Sequence, residues 1–338
     1  MKSTSPPLLI WPKLGRNALI TIAVLALALV VTVQIAAGYR EARAARTHPP
    51  LGQILDVDGT KVHAMVMGQG PDLVLIHGAG GNVRDFTFDF AERLTDRYRV
   101  ILFDRPGLGW TGLPDDAANG AWASQGTPPQ TQAALLQGAA DQLGVRNPIV
   151  LGHSFGGSVA LAWALARPDD TAAVVMVAGV AQPWPGDLGP FYTVLGAPWG
   201  GALVVPLITA FTPRPYVKDR IDSIFAPQTA PEGYADYIGA GLSMRRTTLR
   251  ANVRQVNTLR PHMVAMQPKL PTLTMPMEIV HGDADDTVPL AVHSIPLSQQ
   301  VPGANLTVLP GVGHMPHHVD PQAVVDAIDR AAQRAGLR

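Results

Sequence analysis

Not one of the 338 residues is a cysteine. That absence excludes disulfides, thiolate metal ligands and a cysteine nucleophile, and it leaves the redox compartment open. Covalent chemistry therefore has to come from Ser, His, Asp or Glu. An excess of charge is also lacking, since 26 Lys and Arg balance 26 Asp and Glu. Such a balance gives no electrostatic footprint for nucleic acid and argues against a polyanionic substrate. There is no internal repeat of fixed period, and low complexity is confined to an Ala-rich tract near the N-terminus.

Formal charge is missing altogether from residues 18–38, a run of 21. At about 1.5 Å per residue, a helix of that length spans the roughly 30 Å hydrocarbon core of a bilayer. The run exceeds the about 7 to 15 apolar residues of a signal peptide, so it reads as an uncleaved, single-pass membrane anchor behind a tail at 1–17. Lys2, Lys13 and Arg16 before it are matched by Arg40, Arg43 and Arg46 after it, so the positive-inside rule selects neither side. Residues 39–50 are charged, Ala-rich and closed by Pro49-Pro50, which reads as a juxtamembrane linker rather than a packed element.

From Leu51 onward, short apolar runs at 73–76, 100–103, 149–151, 173–177, 277–280 and 306–309 alternate with helical stretches. Runs without a polar face suit the buried strands of a parallel sheet, and their alternation with helices implies an α/β, doubly wound fold. One helix start is marked by Thr127-Pro128-Pro129-Gln130, with Thr127 as the capping residue and Gln130 completing a capping box. The alternation breaks over residues 181–270, rich in Pro, Gly, Trp and Tyr. A structureless loop of that length is improbable in a compact domain, so the segment is expected to form a helical lid inserted into a core of 51–180 and 271–338.

Gly152-His153-Ser154-Phe155-Gly156 lies between the apolar run ending at Leu151 and the helical pattern of 158–166. Flanking glycines let a strand turn sharply into a helix without a Cβ clash, which lifts the Ser154 hydroxyl out of the sheet. The helix N-terminus then favours negative charge on a bound oxygen. A serine needs a base, and the base needs a group to fix its tautomer. Gly313-His314-Met315-Pro316 supplies an imidazole after one strand, and Gly282-Asp283-Ala284-Asp285-Asp286-Thr287-Val288-Pro289 supplies three carboxylates after another.

With these motifs in the order Ser, Asp, His, the chain from about Leu51 to its end resembles the α/β-hydrolase fold proteins, in the lid-bearing group of esterases, cofactor-free haloperoxidases and C–C bond hydrolases. The resemblance implies a mostly parallel sheet, no cofactor, and a triad of Ser154, Asp285 and His314. The acid falls at Asp285 through the family's Gly-x-x-Asp-x-x-Val-Pro pattern, with Asp283 and Asp286 as alternates and Asp286 expected to cap the turn before Pro289. His77-Gly78-Ala79-Gly80-Gly81 resembles the oxyanion loop, so Ala79 and Phe155 would donate main-chain hydrogen bonds worth about 3 to 4 kcal/mol each of barrier reduction. Gly80 is the neighbouring candidate for that donor. Gly80, His153 and Trp110 are candidate substrate contacts, and His77 is read as structural.

Asp104-Arg105-Pro106-Gly107-Leu108-Gly109-Trp110-Thr111-Gly112 contains a formal G-x-G-x-x-G. A dinucleotide site fails on context, because Leu113-Pro114-Asp115-Asp116 breaks the helix that a Rossmann turn must open. His314, His317 and His318 make a poor metal site, since Pro316 disrupts the helix that would align them, and no metal is expected. His317 and His318 are placed at the pocket rim or surface. In the lid, Arg245, Arg246 and Arg250 read as solvated surface arginines, with reception of a substrate carboxylate as the rival role. The apolar stretch 203–208 suits either an apolar acyl group or the lid's own core.

The expected activity is hydrolysis of an ester-like bond in a small, apolar substrate through an acyl-enzyme. A serine at the nucleophile turn disfavours the dehalogenase and epoxide-hydrolase relatives, which need Asp there. The rivals are a C–C hydrolase or cofactor-free perhydrolase or haloperoxidase on the same triad, and a membrane-anchored binding protein on an inactive fold. Reaction with a serine-directed fluorophosphonate separates the last from the others.

Overall fold

The computed structural model describes residues 13–114 and 119–338; Lys2, Asp115 and Asp116 lie outside them, as do the first twelve residues of the expected tail. The fold is built on an eight-stranded sheet in the order β1-β2-β4-β3-β5-β6-β7-β8. All six apolar runs lie in its strands: β3 (Asp72–Ile76), β4 (Arg99–Phe103), β5 (Ile149–His153), β6 (Ala173–Val177), β7 (Met277–Gly282) and β8 (Ala304–Leu309). These six pair in parallel; β3 to β7 are buried on both faces, as such pairing favours, while β8 is the edge strand and leaves Asn305 and Val308 exposed. The sequence reading missed the antiparallel hairpin of β1 (Gln53–Val57) and β2 (Thr60–Met67), although Asp58-Gly59 is its turn signal. Asp58 and Gly59 both take positive φ, 50° and 82°, as such a two-residue turn demands.

Two apolar layers sandwich the sheet. One holds Val74, Ile76, Val150 and Met176 beneath Leu136 and Trp163; the other holds Leu73, Leu75, Leu151 and Val175 beneath Phe86, Val324 and Ile328. Each fully buried aliphatic chain contributes about 1.5 to 3 kcal/mol relative to exposure, so alternate residues of one strand fasten helices on opposite faces. The C-terminal helix (Pro321–Arg334) shows how local chemistry sets such a helix: the Asp320 carboxylate accepts from the Ala323 N–H at 3.1 Å, and proline occupies the first helical position.

Two local expectations are corrected. The helix after Thr127 is α2 (Pro129–Gln142), whose N-cap is Pro128; Thr127 gives no cap bond, and its main-chain oxygen instead accepts from Gln132 Nε2 at 2.7 Å. Two consecutive prolines shift the start by one residue, so the capping-box register fails. The second correction concerns residues 39–50. Helix α1 runs Lys13–Thr47 without a break, and its last turns are packed. Ala37 and Ala44 are buried, Arg40 donates to the Ala210 and Thr212 carbonyls at 3.0 and 2.7 Å, and Glu41 pairs with Arg246 at 2.7 Å. Alanine favours helix, and charges that look solvated in the sequence have partners some 170 to 205 residues away.

The segment 181–270, between β6 and β7, is helical: α3 (Pro190–Gly196), a π-turn (Gly200–Val204), α4 (Val205–Phe211), α5 (Arg214–Ile224), α6 (Arg246–Asn257) and α7 (Leu259–Met266) among others. Leu195, Val205, Leu249 and Val253 form a small core of its own. The insertion caps the C-terminal ends of the parallel strands, the end where such sheets carry their sites.

Candidate active site

Strand register converges on one place. β5 lies beside β3, with Ile76 opposite Gly152, although the chain leaves β3 for β4 on the other side. That reversal of direction opens the crevice of a doubly wound sheet. The loop after β3 and the turn after β5 meet there, while β7 and β8, paired to Gly282 and Leu309, bring in the two loops beyond them.

Ser154 forms the turn from β5 into the helix Phe155–Ala166, at φ 53° and ψ −121°, a conformation that L residues avoid. Its surroundings hold it there: the Ser154 N–H donates to Val177 O at 3.1 Å, and its carbonyl accepts from Gly157 and Val180 at 3.0 and 2.9 Å. A Cβ at Gly152 would collide with the Gly156 carbonyl, and one at Gly156 with the Ile76 carbonyl. The small residues flanking Ser154 are thus explained by close backbone approach.

The structure brings Ser154, His314 and Asp285 into line. His314 Nε2 lies 2.9 Å from Ser154 Oγ, and His314 Nδ1 lies 2.7 Å from Asp285 Oδ2. Asp285 Oδ1 accepts from the Thr287 and Val288 N–H groups at 2.8 and 2.9 Å. Asp285 therefore caps its own turn, the role the sequence reading gave to Asp286, which is exposed. Asp283 is spent on the Gly311 N–H at 2.6 Å. Burial alone would raise the Asp285 pKa, but donation from His281 and His314, with the Val288 N–H, holds it below the ordinary carboxylate range. A carboxylate kept ionised fixes the Nδ1–H tautomer of His314, which leaves the Nε2 lone pair facing the hydroxyl.

His281 had no assigned role in the sequence reading. Its Nε2 lies 3.1 Å from Asp285 Oδ2 and 2.7 Å from Val288 O, both acceptors, so this nitrogen carries the proton and Nδ1 accepts from Ser294 Oγ at 2.6 Å. The available signal was its spacing, four residues before Asp285 at the end of a strand.

The loop after β3 is held on all sides. Gly80 donates to Asn252 Oδ1 at 2.6 Å, so its N–H is taken and it is removed from the substrate contacts; its carbonyl accepts from Ser243 Oγ at 2.5 Å. Both partners come from the insertion. Among the described residues the Ala79 N–H has no partner, and Phe155 stands in the first helical turn, where N–H groups are left free. Buried Arg105 donates to Gly78 O, Gln132 and Gln255 and lies 4.1 Å over the Phe155 ring. His77 accepts the Arg105 N–H on Nε2; burial, with Arg105 nearby, pushes its pKa down to about 4.

Several sequence placements are corrected. His153 points into the interior rather than toward a substrate: its Nε2 donates to His314 O at 3.0 Å and its ring lies between those of His314 and His317. Trp110 donates from its indole to His48 O at 3.1 Å and carries Arg245 over its ring, which ties it to the end of α1. His317 and His318 are buried in a helical turn (Pro316–Val319) that Pro316 opens at its first position rather than disrupts. There Asp85 gathers Tyr234 Oη at 2.7 Å, His318 Nε2 at 3.0 Å and His317 Nε2 at 3.3 Å. Asp85, His317 and His318 present ligand atoms within 4.8 Å of one another, but His318 also meets Asp89 at 2.8 Å. Burial opposes charge on His318, yet hydrogen bonds and charge from the two carboxylates outweigh it and push its pKa up to about 9, which favours the protonated ring between them. The insertion arginines are not simply solvated: Arg245 donates to Gly109 O, Arg246 pairs with the Glu41 carboxylate, and Arg250 donates from Nε to Gly201 O.

The comparisons agree with this geometry in family. The model of the alpha/beta hydrolase family matches residues 73–327. The chain belongs to that family. Among its relatives, the pimeloyl-[acyl-carrier protein] methyl ester esterase of Aeromonas hydrophila is 28% identical over 276 residues, covering 78% of this chain and 95% of the esterase. The 2-hydroxymuconate semialdehyde hydrolase of Pseudomonas putida is 26% identical over 278 residues, covering 79% of this chain and 88% of that hydrolase. The crystal structure of a bacterial membrane phospholipase A superposes with a TM-score of 0.63 at 22% identity, covering 94% of this chain and 99% of its own. As a member of an alpha/beta hydrolase family with esterase and hydrolase relatives, the protein is a hydrolase.

Proposed function

We propose that the protein is a membrane-anchored serine hydrolase that cleaves an ester-like bond of a small, apolar substrate through an acyl-enzyme. The observation that carries this reading is the line from Ser154 Oγ through His314 to Asp285, with contacts of 2.9 and 2.7 Å. Ser154 Oγ attacks the carbonyl carbon while His314 Nε2 takes its proton; His314 then protonates the leaving alkoxide as the C–O bond breaks. Water repeats the sequence on the acyl-enzyme, and Ser154 regains its proton. Asp285 stays ionised and stabilises the imidazolium. Ala79 and Phe155 N–H donate to the oxyanion, and the 181–270 insertion acts as a lid over the site.

The esterase relative supports the reaction type, and α1, with exposed Leu25, Leu27 and Leu29, supports the anchor. The C–C hydrolase relative supports a second reading on the same residues, in which the Ser154 acyl-enzyme forms as a carbon leaving group departs. Burst kinetics with p-nitrophenyl esters of increasing chain length test the first. The full chain is expected to give a burst that Ser154→Ala abolishes; equal, burst-free rates in both would refute ester hydrolysis and favour the second reading.

A further inference from the structure

The insertion exposes a face that its own core does not need. Trp199, Leu203, Leu207 and Phe211 recur at intervals of four along the π-turn and α4, and all four are exposed, at 51, 59, 43 and 54%. Their neighbours Val205, Pro206 and Ala210 point the other way and are buried. Intervals of four place the exposed side chains on one side of the helix. Phe191, on α3, is exposed as well, and α3 with the following π-turn and α4 forms an apolar helix pair bent by 91°.

This face sits beside α1 at a defined height. α4 packs along α1, with Ala210 buried against Val33 and Ala37. Val33 lies five residues inside the charge-free run that ends at Gly38, a depth of about 8 Å at the helical rise. Amphipathic helices that lie in a bilayer surface bury their apolar face by about 5 to 10 Å. Just beyond, a cleft between α1 and the insertion is lined by Arg40, Arg43, Arg214 and Lys218 against Glu41 and Asp236, a cationic excess at headgroup level. The geometry points to a second membrane contact: the face of Trp199, Leu203, Leu207 and Phe211 is immersed in the lipid surface beside α1, with an anionic-lipid headgroup layer at the cleft. The occupant is the bilayer, because the helix that carries the face packs against the charge-free run of α1 through Val33, Ala37 and Ala210. This inference rests on the reading of α1 as a membrane anchor.

The cysteine-free chain permits a direct test. Val24→Cys, Leu203→Cys, Leu207→Cys and Gln333→Cys, each in the full chain, are labelled with an environment-sensitive NBD dye and reconstituted in phosphatidylethanolamine–phosphatidylglycerol vesicles with brominated lipids. Gln333 serves as the aqueous reference, since its neighbour Arg334 reaches the start of β7, the opposite end of the sheet from the insertion. The expected result is deep quenching at position 24, shallow-lipid quenching with a blue shift at 203 and 207, and neither at 333. Quenching at 24 with 203 and 207 as wet as 333 overturns the contact while the anchor stands. Loss of quenching at 24 as well removes the anchor and the contact together. A blue shift at 203 and 207 without lipid quenching, growing with the protein-to-lipid ratio, assigns the face to a second copy of the chain and also overturns the proposal.

Discussion

His281 donates to the same carboxylate oxygen of Asp285, Oδ2, that accepts from His314, at 3.1 Å against 2.7 Å. The carboxylate is thus divided between two imidazoles, while its other oxygen is held by two backbone N–H groups. His281 makes no contact with Ser154, so in the proposed mechanism it acts by positioning and by drawing charge from Asp285. His281→Leu is expected to lower kcat with little change in KM. His281→Gln, which keeps a side-chain donor in reach of Asp285, should recover part of that loss. Equal losses of kcat in His281→Leu and His281→Gln would reduce His281 to a packing role.

The three candidate carboxylates are separable. Asp285→Asn is expected to lower kcat by about four orders of magnitude, the scale seen when a triad acid is replaced by its amide. Asp286→Asn, on an exposed side chain, should stay near the parent rate, and Asp283→Asn should cost stability around Gly311 more than activity. Comparable losses of kcat in all three would refute the assignment.

Gly78 sets how closely the loop after β3 approaches Ser154. A Cβ there would stand 3.0 Å from Ser154 Cβ and 3.1 Å from His153 Nδ1, inside ordinary contact. Gly78→Ala should therefore leave the circular dichroism spectrum intact and depress kcat, since Ala79, the proposed oxyanion donor on this loop, would move with it. Unchanged kinetics would mean that the loop yields without cost.

Much of this was legible in the sequence, for a physical reason. Ser154 and its glycines form a local motif, and buried strands such as 173–177 announce themselves by having no polar face. Asp285 and His314 each follow a strand, so chain order carries their meeting. What sequence could not show is contact at long range. Asn252, Ser243 and Tyr234 reach the core from the insertion across about 150 to 170 residues, and no local pattern distinguishes them from surface residues. The charges of 39–50 misled for the same reason: Arg40 and Glu41 look like a solvated linker until the insertion supplies their partners.

His318 gives a pH signature. Its pKa is raised to about 9 from an ordinary value of about 6.5, so the stabilisation it brings is complete below about 6.5 and is lost as pH rises through 9. Thermal unfolding of the parent should show Tm falling across that window. His318→Gln should start from a lower Tm and flatten the decline; an equally steep decline in the variant would place the titration elsewhere.

The central claim is that Ser154 is a nucleophile activated through His314. Intact-protein mass spectrometry of the full chain after exposure to a fluorophosphonate tests it most directly. One phosphonyl group per chain is expected on Ser154, none on Ser154→Ala, and much slower labelling on His314→Ala. An unmodified parent protein, or a Ser154→Ala variant labelled as fast as the parent, would contradict it.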